Sequence, residues 1–187
     1  MKAVSKSRYL LFFALALGGC AVDLATKHSV FQSLGMPGPN VCVWIWDGYF
    51  ALQTSLNEGA LFGMGQGKVV VLAILSVAAA LAILYWLFVA GAAVDRWLTL
   101  ALGCVTAGIL GNLYDRLGWH GLVWPAGIPG KTAGEPIYAV RDWILWQAND
   151  NLRWPNFNIA DSLLLCGAGM LLWHAFRNPP SDDSADE

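Results

Sequence analysis

The chain has 187 residues, of which 57% are hydrophobic and only 13% charged, with a formal net charge of -2 and a mean hydropathy of +0.51. This composition excludes an ordinary soluble domain and indicates a membrane protein. There is no basic stripe, and no run of Lys and Arg follows Arg8, so nucleic acid is not an expected partner.

Lys2, Lys6 and Arg8 precede a first apolar stretch, residues 9–22. It reaches the roughly 20 residues a bilayer requires only by running on through Asp23 to about Lys27. The positive-inside rule puts the basic cluster, and with it the N-terminus, in the cytoplasm. The run Leu17-Gly18-Gly19-Cys20 also looks like the end of a lipoprotein signal peptide, which would make the chain a substrate of lipoprotein processing. Three more apolar stretches follow, however, where a soluble mature protein is required. Asp23 and Lys27 stand at i and i+4, so they share one helix face, and an intrahelical ion pair at the membrane interface is expected.

Between the first two stretches, residues 41–56 carry Trp44, Trp46, Tyr49 and Phe50 with partial alternation of apolar and polar positions. The pattern predicts short strands with a turn near Asp47-Gly48, forming a small sheet on the membrane surface. Asn57-Glu58-Gly59-Ala60-Leu61-Phe62-Gly63 marks the return to the bilayer. Its glycines permit close backbone approach, while the Asn57 amide needs partners near lipid. The second span is read at residues 69–90 and the third at 97–113.

Gly111-Asn112-Leu113-Tyr114-Asp115-Arg116 ends the third span. Asn112, Asp115 and Arg116 are spaced i, i+3 and i+4 and share a helix face. A long connection follows, whose middle, residues 119–139, is rich in Gly and Pro. Loops of that length are functional lids or disordered insertions. Val140-Arg141-Asp142-Trp143 comes next, and Phe157-Asn158-Ile159-Ala160-Asp161-Ser162 opens the fourth span, residues 159–176. Asn158, Asp161 and Ser162 repeat the i, i+3, i+4 spacing, so two polar faces meet at one membrane depth. Interhelical hydrogen bonding, worth about 0.6 kcal/mol per interaction, could account for Asn112 and Asn158. It does not account for several acids clustered at one level.

Four spans leave both termini in the cytoplasm and both long loops outside, so the chemistry is expected near the extracytoplasmic face. Residues 1–177 read as one membrane domain, and the acidic residues 178–187 as a disordered tail. Cys20, Cys42, Cys104 and Cys166 form no CxxC motif, and neither a metal site nor a disulfide framework is readable. Three acids, Asp115, Asp142 and Asp161, compete for a pair that shares a proton across a water, as in an aspartic-protease dyad. Spacing alone does not select the pair. The acids could also move protons or ions in a small transporter or assembly subunit. Such proteins place them at the midplane of repeated or broken helices, and no repeat is visible here.

In order, the blocks Asp23-x-x-Thr26-Lys27, Asn57-x-Gly59-x-x-Phe62-Gly63, Gly111-Asn112-Leu113-x-Asp115-Arg116, Val140-x-Asp142-Trp143 and Phe157-Asn158-x-Ala160-Asp161-Ser162 resemble bacterial lipoprotein signal peptidase, or signal peptidase II. The resemblance covers nearly the whole chain. It implies a four-helix membrane protein of the bacterial inner membrane, with a small extracytoplasmic β-sheet cradle. The implied activity is that of an aspartic endopeptidase cleaving before a diacylglyceryl-modified cysteine. It assigns the dyad to Asp142 and Asp161, substrate-lining positions to Asn112, Arg116 and Asn158, and supporting positions to Asp23, Lys27, Asn57, Gly59 and Asp115. It implies no metal or organic cofactor. The expected partners are diacylglyceryl-modified prolipoproteins, membrane lipid and globomycin-type inhibitors, and the expected working unit is a monomer. Leu61, where the family usually has a small residue, and the long stretch between Arg116 and Val140 depart from the family pattern.

Overall fold

The computed structural model describes residues 4–38, 41–59, 67–149 and 152–178. The expected tail beyond Asn178 and the Leu61-Phe62-Gly63 segment lie outside the described residues. Within them are four helices long and apolar enough to cross a membrane. They are α1 (Lys6–Leu34), α2 (Val69–Leu84, continued by a π turn over Tyr85–Val89), α3 (Arg96–Arg116) and α4 (Ile159–Arg177).

Helix α1 continues almost two turns beyond Lys27, where the apolar pattern suggested an end. Asp23 and Lys27 do not break it, because other side chains replace water as their partners. It stops at Gly35, which adopts φ 78° and donates its N–H to the Phe31 carbonyl. This left-handed stop suits glycine. Helix α2 is apolar on all sides and leaves most of its surface for lipid. Asp95 caps α3 by accepting the N–H groups of Trp97 and Leu98 at 2.7 and 3.2 Å.

Helix α3 is the most enclosed of the four and packs against both α1 and α4. Glycines make that approach possible. A Cβ on Gly108 would overlap the Ala160 carbonyl, and one on Gly111 would overlap the Asp23 carboxylate. In membranes such small residues let backbones come together where larger side chains would hold them apart. At the opposite end of the bundle, His174 bonds Asp95 at 2.7 Å and the Trp97 indole N–H donates to the Met170 carbonyl at 2.7 Å.

A four-stranded antiparallel sheet, in the order β1 (Val43–Trp46), β2 (Phe50–Asn57), β3 (Val140–Asn149), β4 (Leu152–Arg153), stands at the other end. The β1–β2 hairpin turns through Asp47 and Gly48, as the alternation suggested, with Gly48 at φ 76°. The sheet is larger than the predicted hairpin, because β3 lies beside β2 and adds β4. Strand β3 is covered on both faces over most of its length. Its sequence therefore lacks the alternation that identifies a half-exposed strand. Pairing sets Ser55 opposite Asp142 and Asn57 opposite Val140. On the far edge, all four residues of β1 (Val43, Trp44, Ile45 and Trp46) are exposed, presenting an aromatic-rich edge suited to the membrane interface.

Residues 119–139 form an ordered flap. Trp124 donates to the Glu135 carbonyl at 2.9 Å, Gly134 to that of Trp124 at 2.9 Å, and Ile137 to that of Leu122 at 3.0 Å. Ile137 and Ala139 are fully buried and anchor its return. Lys131, at its tip, pairs with Glu58 and lies over the Trp124 ring at 4.6 Å.

Candidate active site

All ten residues singled out from the sequence converge where the C-terminal ends of α1 and α3, the N-terminus of α4 and strands β2 and β3 meet. Asn158 organises the centre. As the N-cap of α4, its Oδ1 accepts the Asp161 N–H at 2.9 Å, and its own N–H donates back to Asp161 Oδ2 at 3.3 Å. This reciprocal capping box places Asp161 at the third helical position, at the positive end of α4. The amide of Asn158 points the other way, donating to Asp142 Oδ1 at 2.6 Å and to Asn112 Oδ1 at 3.2 Å. One residue thus touches both carboxylates. Asn112 closes the ring by donating Nδ2 to Asp161 Oδ1 at 2.8 Å.

The environments of the two acids differ. Asp142, on β3, is 2% exposed, whereas Asp161 is only half-buried. Burial, reinforced by the nearby Asp161, pushes the Asp142 carboxyl well above its ordinary range. Lys27 and hydrogen bonds from Asn158 and Asn57 pull the other way without overcoming it. Asn57, at the end of β2, also accepts the Gly59 N–H at 2.9 Å. The Gly59 carbonyl takes a hydrogen bond from Arg116 Nη2 at 3.2 Å, tying the chain's return toward α2 to the end of α3. The buried Nε of Arg116 has no hydrogen-bond partner among the described residues, leaving a donor beside the acids.

Asp115 takes its partner from another element. It lies next to Arg116 along the chain but pairs with Arg141, accepting its N–H at 2.9 Å, Nε at 3.0 Å and Nη2 at 2.8 Å. Successive helix residues point about 100° apart, whereas Arg141 arrives broadside from β3. Asp115 also meets the Lys27 ammonium at 3.2 Å. The Asp23–Lys27 ion pair expected from spacing forms at 2.7 Å, with both side chains fully buried inside the protein. Asp23 Oδ1 accepts the Ala160 N–H at 2.8 Å, joining α1 to the first turn of α4.

Two participants escaped sequence reasoning. Arg141 adjoins Asp142 in sequence, yet strand alternation sends adjacent side chains to opposite faces, a signal visible only once a strand is assigned there. The Lys131–Glu58 pair joins residues far apart in sequence, and no local pattern marks it. Among the described residues, no group of three or more His, Cys, Asp or Glu is placed to hold a metal ion.

Four bilayer-length helices and a small sheet around a buried polar cluster define a multi-pass helical membrane protein. Residues 15–177 match the family model described as signal peptidase (SPase) II, and the chain belongs to that family of proteases. It is 52% identical to a lipoprotein signal peptidase of Rhodopirellula baltica over 93% of this chain and 75% of that protein. It is 30% identical to one of Rhodococcus jostii over 90% and 74%, respectively. Two solved bacterial membrane enzyme structures, both obtained by the in meso method, share the fold. One has a TM-score of 0.72 at 20% identity, covering 100% of this chain and 97% of the other. The second has a TM-score of 0.69 at 21% identity, covering 95% and 97%.

Proposed function

We propose that the chain is an intramembrane aspartic endopeptidase that removes the signal peptide of prolipoproteins immediately before the diacylglyceryl-modified cysteine. The observation that carries this reading is the bridging of Asp142 and Asp161 by Asn158, in surroundings that separate the two acids chemically. Asp142, enclosed and raised, is the protonated member. Asp161, at the positive end of α4 and accepting N–H groups from Asn112 and Asn158, is the carboxylate.

In the first step Asp161 takes a proton from a water whose oxygen attacks the scissile carbonyl, while Asp142 gives its proton to the carbonyl oxygen. Collapse of the tetrahedral intermediate breaks the C–N bond. The leaving amine takes the proton held by Asp161, and the intermediate's hydroxyl proton returns to Asp142. Both acids regain their starting states. Asn112 and Asn158 orient the pair, and Arg116, through its unpartnered donor, is placed to meet a substrate carbonyl. Asn57 and Gly59 hold the edge of the cleft. Asp23, Lys27 and Asp115 support it from below.

The residues of the cluster lie at the helix ends remote from the basic N-terminus. With Lys6 and Arg8 in the cytoplasm, both termini are cytoplasmic and the site is near the extracytoplasmic face of the bacterial inner membrane. The working unit is a monomer without a cofactor, open to globomycin-type inhibitors.

A gel assay of purified chain with diacylated prolipoprotein tests the reading. Wild type is expected to cleave it, and Asp142→Asn and Asp161→Asn each to abolish cleavage. Full cleavage by both variants would refute the dyad. An inactive Asp115→Asn beside a fully active Asp142→Asn would redraw it as Asp115 with Asp161.

A further inference from the structure

Four more charged side chains, Asp23, Lys27, Asp115 and Arg141, are buried beside the two acids. Burying that much charge is expensive and carries no general advantage in stability over apolar packing. The geometry around Lys27 indicates what the charge does. Its ammonium, 0% exposed, lies 2.7 Å from Asp23 Oδ2, 3.2 Å from Asp115 Oδ2 and 3.0 Å from Asn112 Oδ1.

An ammonium can only donate hydrogen bonds, so it admits only the oxygen of the Asn112 amide. With that oxygen turned to Lys27, Nδ2 must point the other way, to Asp161 Oδ1 at 2.8 Å. Asn158 is oriented independently, because a backbone N–H, that of Asp161, fixes its oxygen. Its Nδ2 is shared between Asp142 and Asn112, with Asp142 the nearer. Asn112 is therefore the amide whose orientation depends most on Lys27. A flipped Asn112 would set a carbonyl dipole against the Asp161 carboxylate.

We propose that Lys27 is a positioning residue: its ammonium locks Asn112 with Nδ2 toward Asp161, and its charge sets the pH at which the acid pair gives up its shared proton. This rests on the reading of Asp142 and Asp161 as the reacting pair. Asp142 is faced by Asp161 from α4, Arg116 from α3 and Lys27 from α1. Lys27 in turn is faced by Asp23 and Cys20 on its own helix, by Asp115 on α3 with Arg141 beyond it, and by His120. Asp23 and Asp115 oppose the charge of Lys27, and Arg141 offsets Asp115. Lys27 pulls the Asp142 carboxyl down, and Arg116 also attracts it, but of the two cations only Lys27 also holds the Asn112 oxygen.

The test uses the full-length wild type, Lys27→Met, the charge-balanced double variant Asp23→Asn with Lys27→Met, and Lys27→Arg. The protonated-carboxyl infrared band of Asp142, identified by its absence in Asp142→Asn, is titrated in each, and kcat and KM are measured across pH. In Lys27→Met the band's midpoint is expected to rise by about half a pH unit or more, and in the double variant, which also removes the opposing Asp23 charge, to rise by less. The high-pH limb of kcat should move the same way, with kcat at least about tenfold lower and KM within about threefold, while Lys27→Arg keeps the wild-type midpoint. A lower melting temperature with an unmoved midpoint and limb would make Lys27 merely structural and overturn the proposal. If Lys27→Met fails to fold, the double variant, which removes the buried pair as a unit, decides by the same readout. If the wild type cleaves nothing, the peptidase reading fails by itself, and the infrared midpoint still decides for or against Lys27.

Discussion

Asp115→Asn is the substitution with the largest expected structural cost. The carboxylate is fully buried and accepts three hydrogen bonds from Arg141, while a fourth donor, the Lys27 ammonium, lies at 3.2 Å. An asparagine of the same shape keeps one acceptor oxygen but turns an N–H₂ toward donors and removes the charge. Arg141, 4% exposed, then loses its ion-pair partner among the described residues, whereas Lys27 keeps Asp23. Breaking a buried pair by removing one partner costs about 3–5 kcal/mol, because the remaining charge is left uncompensated. At about 1.4 kcal/mol per decade, that is roughly a hundredfold to several thousandfold in the folding equilibrium. Activity falls as well, through displacement of Arg141 and hence of the adjoining Asp142, with Arg116 not directly involved. Reversible unfolding in mixed detergent micelles, followed by tryptophan fluorescence, measures the stability term. Adding Arg141→Met to Asp115→Asn removes the orphaned charge and is expected to recover much of the loss. An Asp115→Asn protein within about 1 kcal/mol of wild type would refute this account of the network.

Asp142 carries a pH signature. A carboxyl raised in the folded state binds its proton over a range where the unfolded chain has released it, so its stabilising contribution is present at low pH and lost as pH rises through the raised value. Asp142→Asn should therefore gain stability relative to wild type as pH rises. The kcat of wild type should likewise fall on the alkaline side as this acid ionises, and a stability difference independent of pH would contradict the raised value. Gly111→Ala should cost at least about 1–3 kcal/mol and reduce activity, since the new methyl would occupy the position of the Asp23 carboxylate; melting temperature and kcat measured together check this. The Lys131–Glu58 pair is about one-third exposed and worth only about 0–1 kcal/mol, a tether weak enough to release. Lys131→Ala should raise protease nicking within residues 119–139, and the charge swap Glu58→Lys with Lys131→Glu should restore protection; equal nicking in all three proteins would mean that the pair does not hold the flap.

The four helices were legible because lipid imposes a composition that little else does: some 20 mostly apolar residues in a row. The β1–β2 hairpin was legible through Asp47-Gly48 and the alternation around it. Strand β3 was not, because both its faces are covered and Val140–Asn149 shows no period. Helix ends were blurred for a related reason. Hydropathy treats Lys27 as a boundary, whereas in the folded chain Asp23, Asp115 and Asn112 surround it and the helix runs on to Leu34.

The site illustrates how far spacing carries. The polar triplets repeated at 112–116 and 158–162 with i, i+3, i+4 spacing do come together, Asn112 bonding both Asp161 and Asn158. They did not distinguish the functions of equal spacings. In the second triplet the i, i+3 pair is a capping box, a signature readable in Asn158-x-x-Asp161 just before an apolar run. Reading it would have fixed the direction of the Asn158 amide in advance, since an N-cap oxygen engaged by its own helix leaves only Nδ2 for other partners. In the first triplet, Asp115 and Arg116 are neighbours in sequence that take different partners, Arg141 and Gly59. Those partners come from a strand and a turn beyond the helix. The identity of the polar residues was therefore local information, while the bonding that ties Asp115 to Arg141 and sets Asp142 and Asp161 on either side of Asn158 depends on where β3 crosses the helix ends.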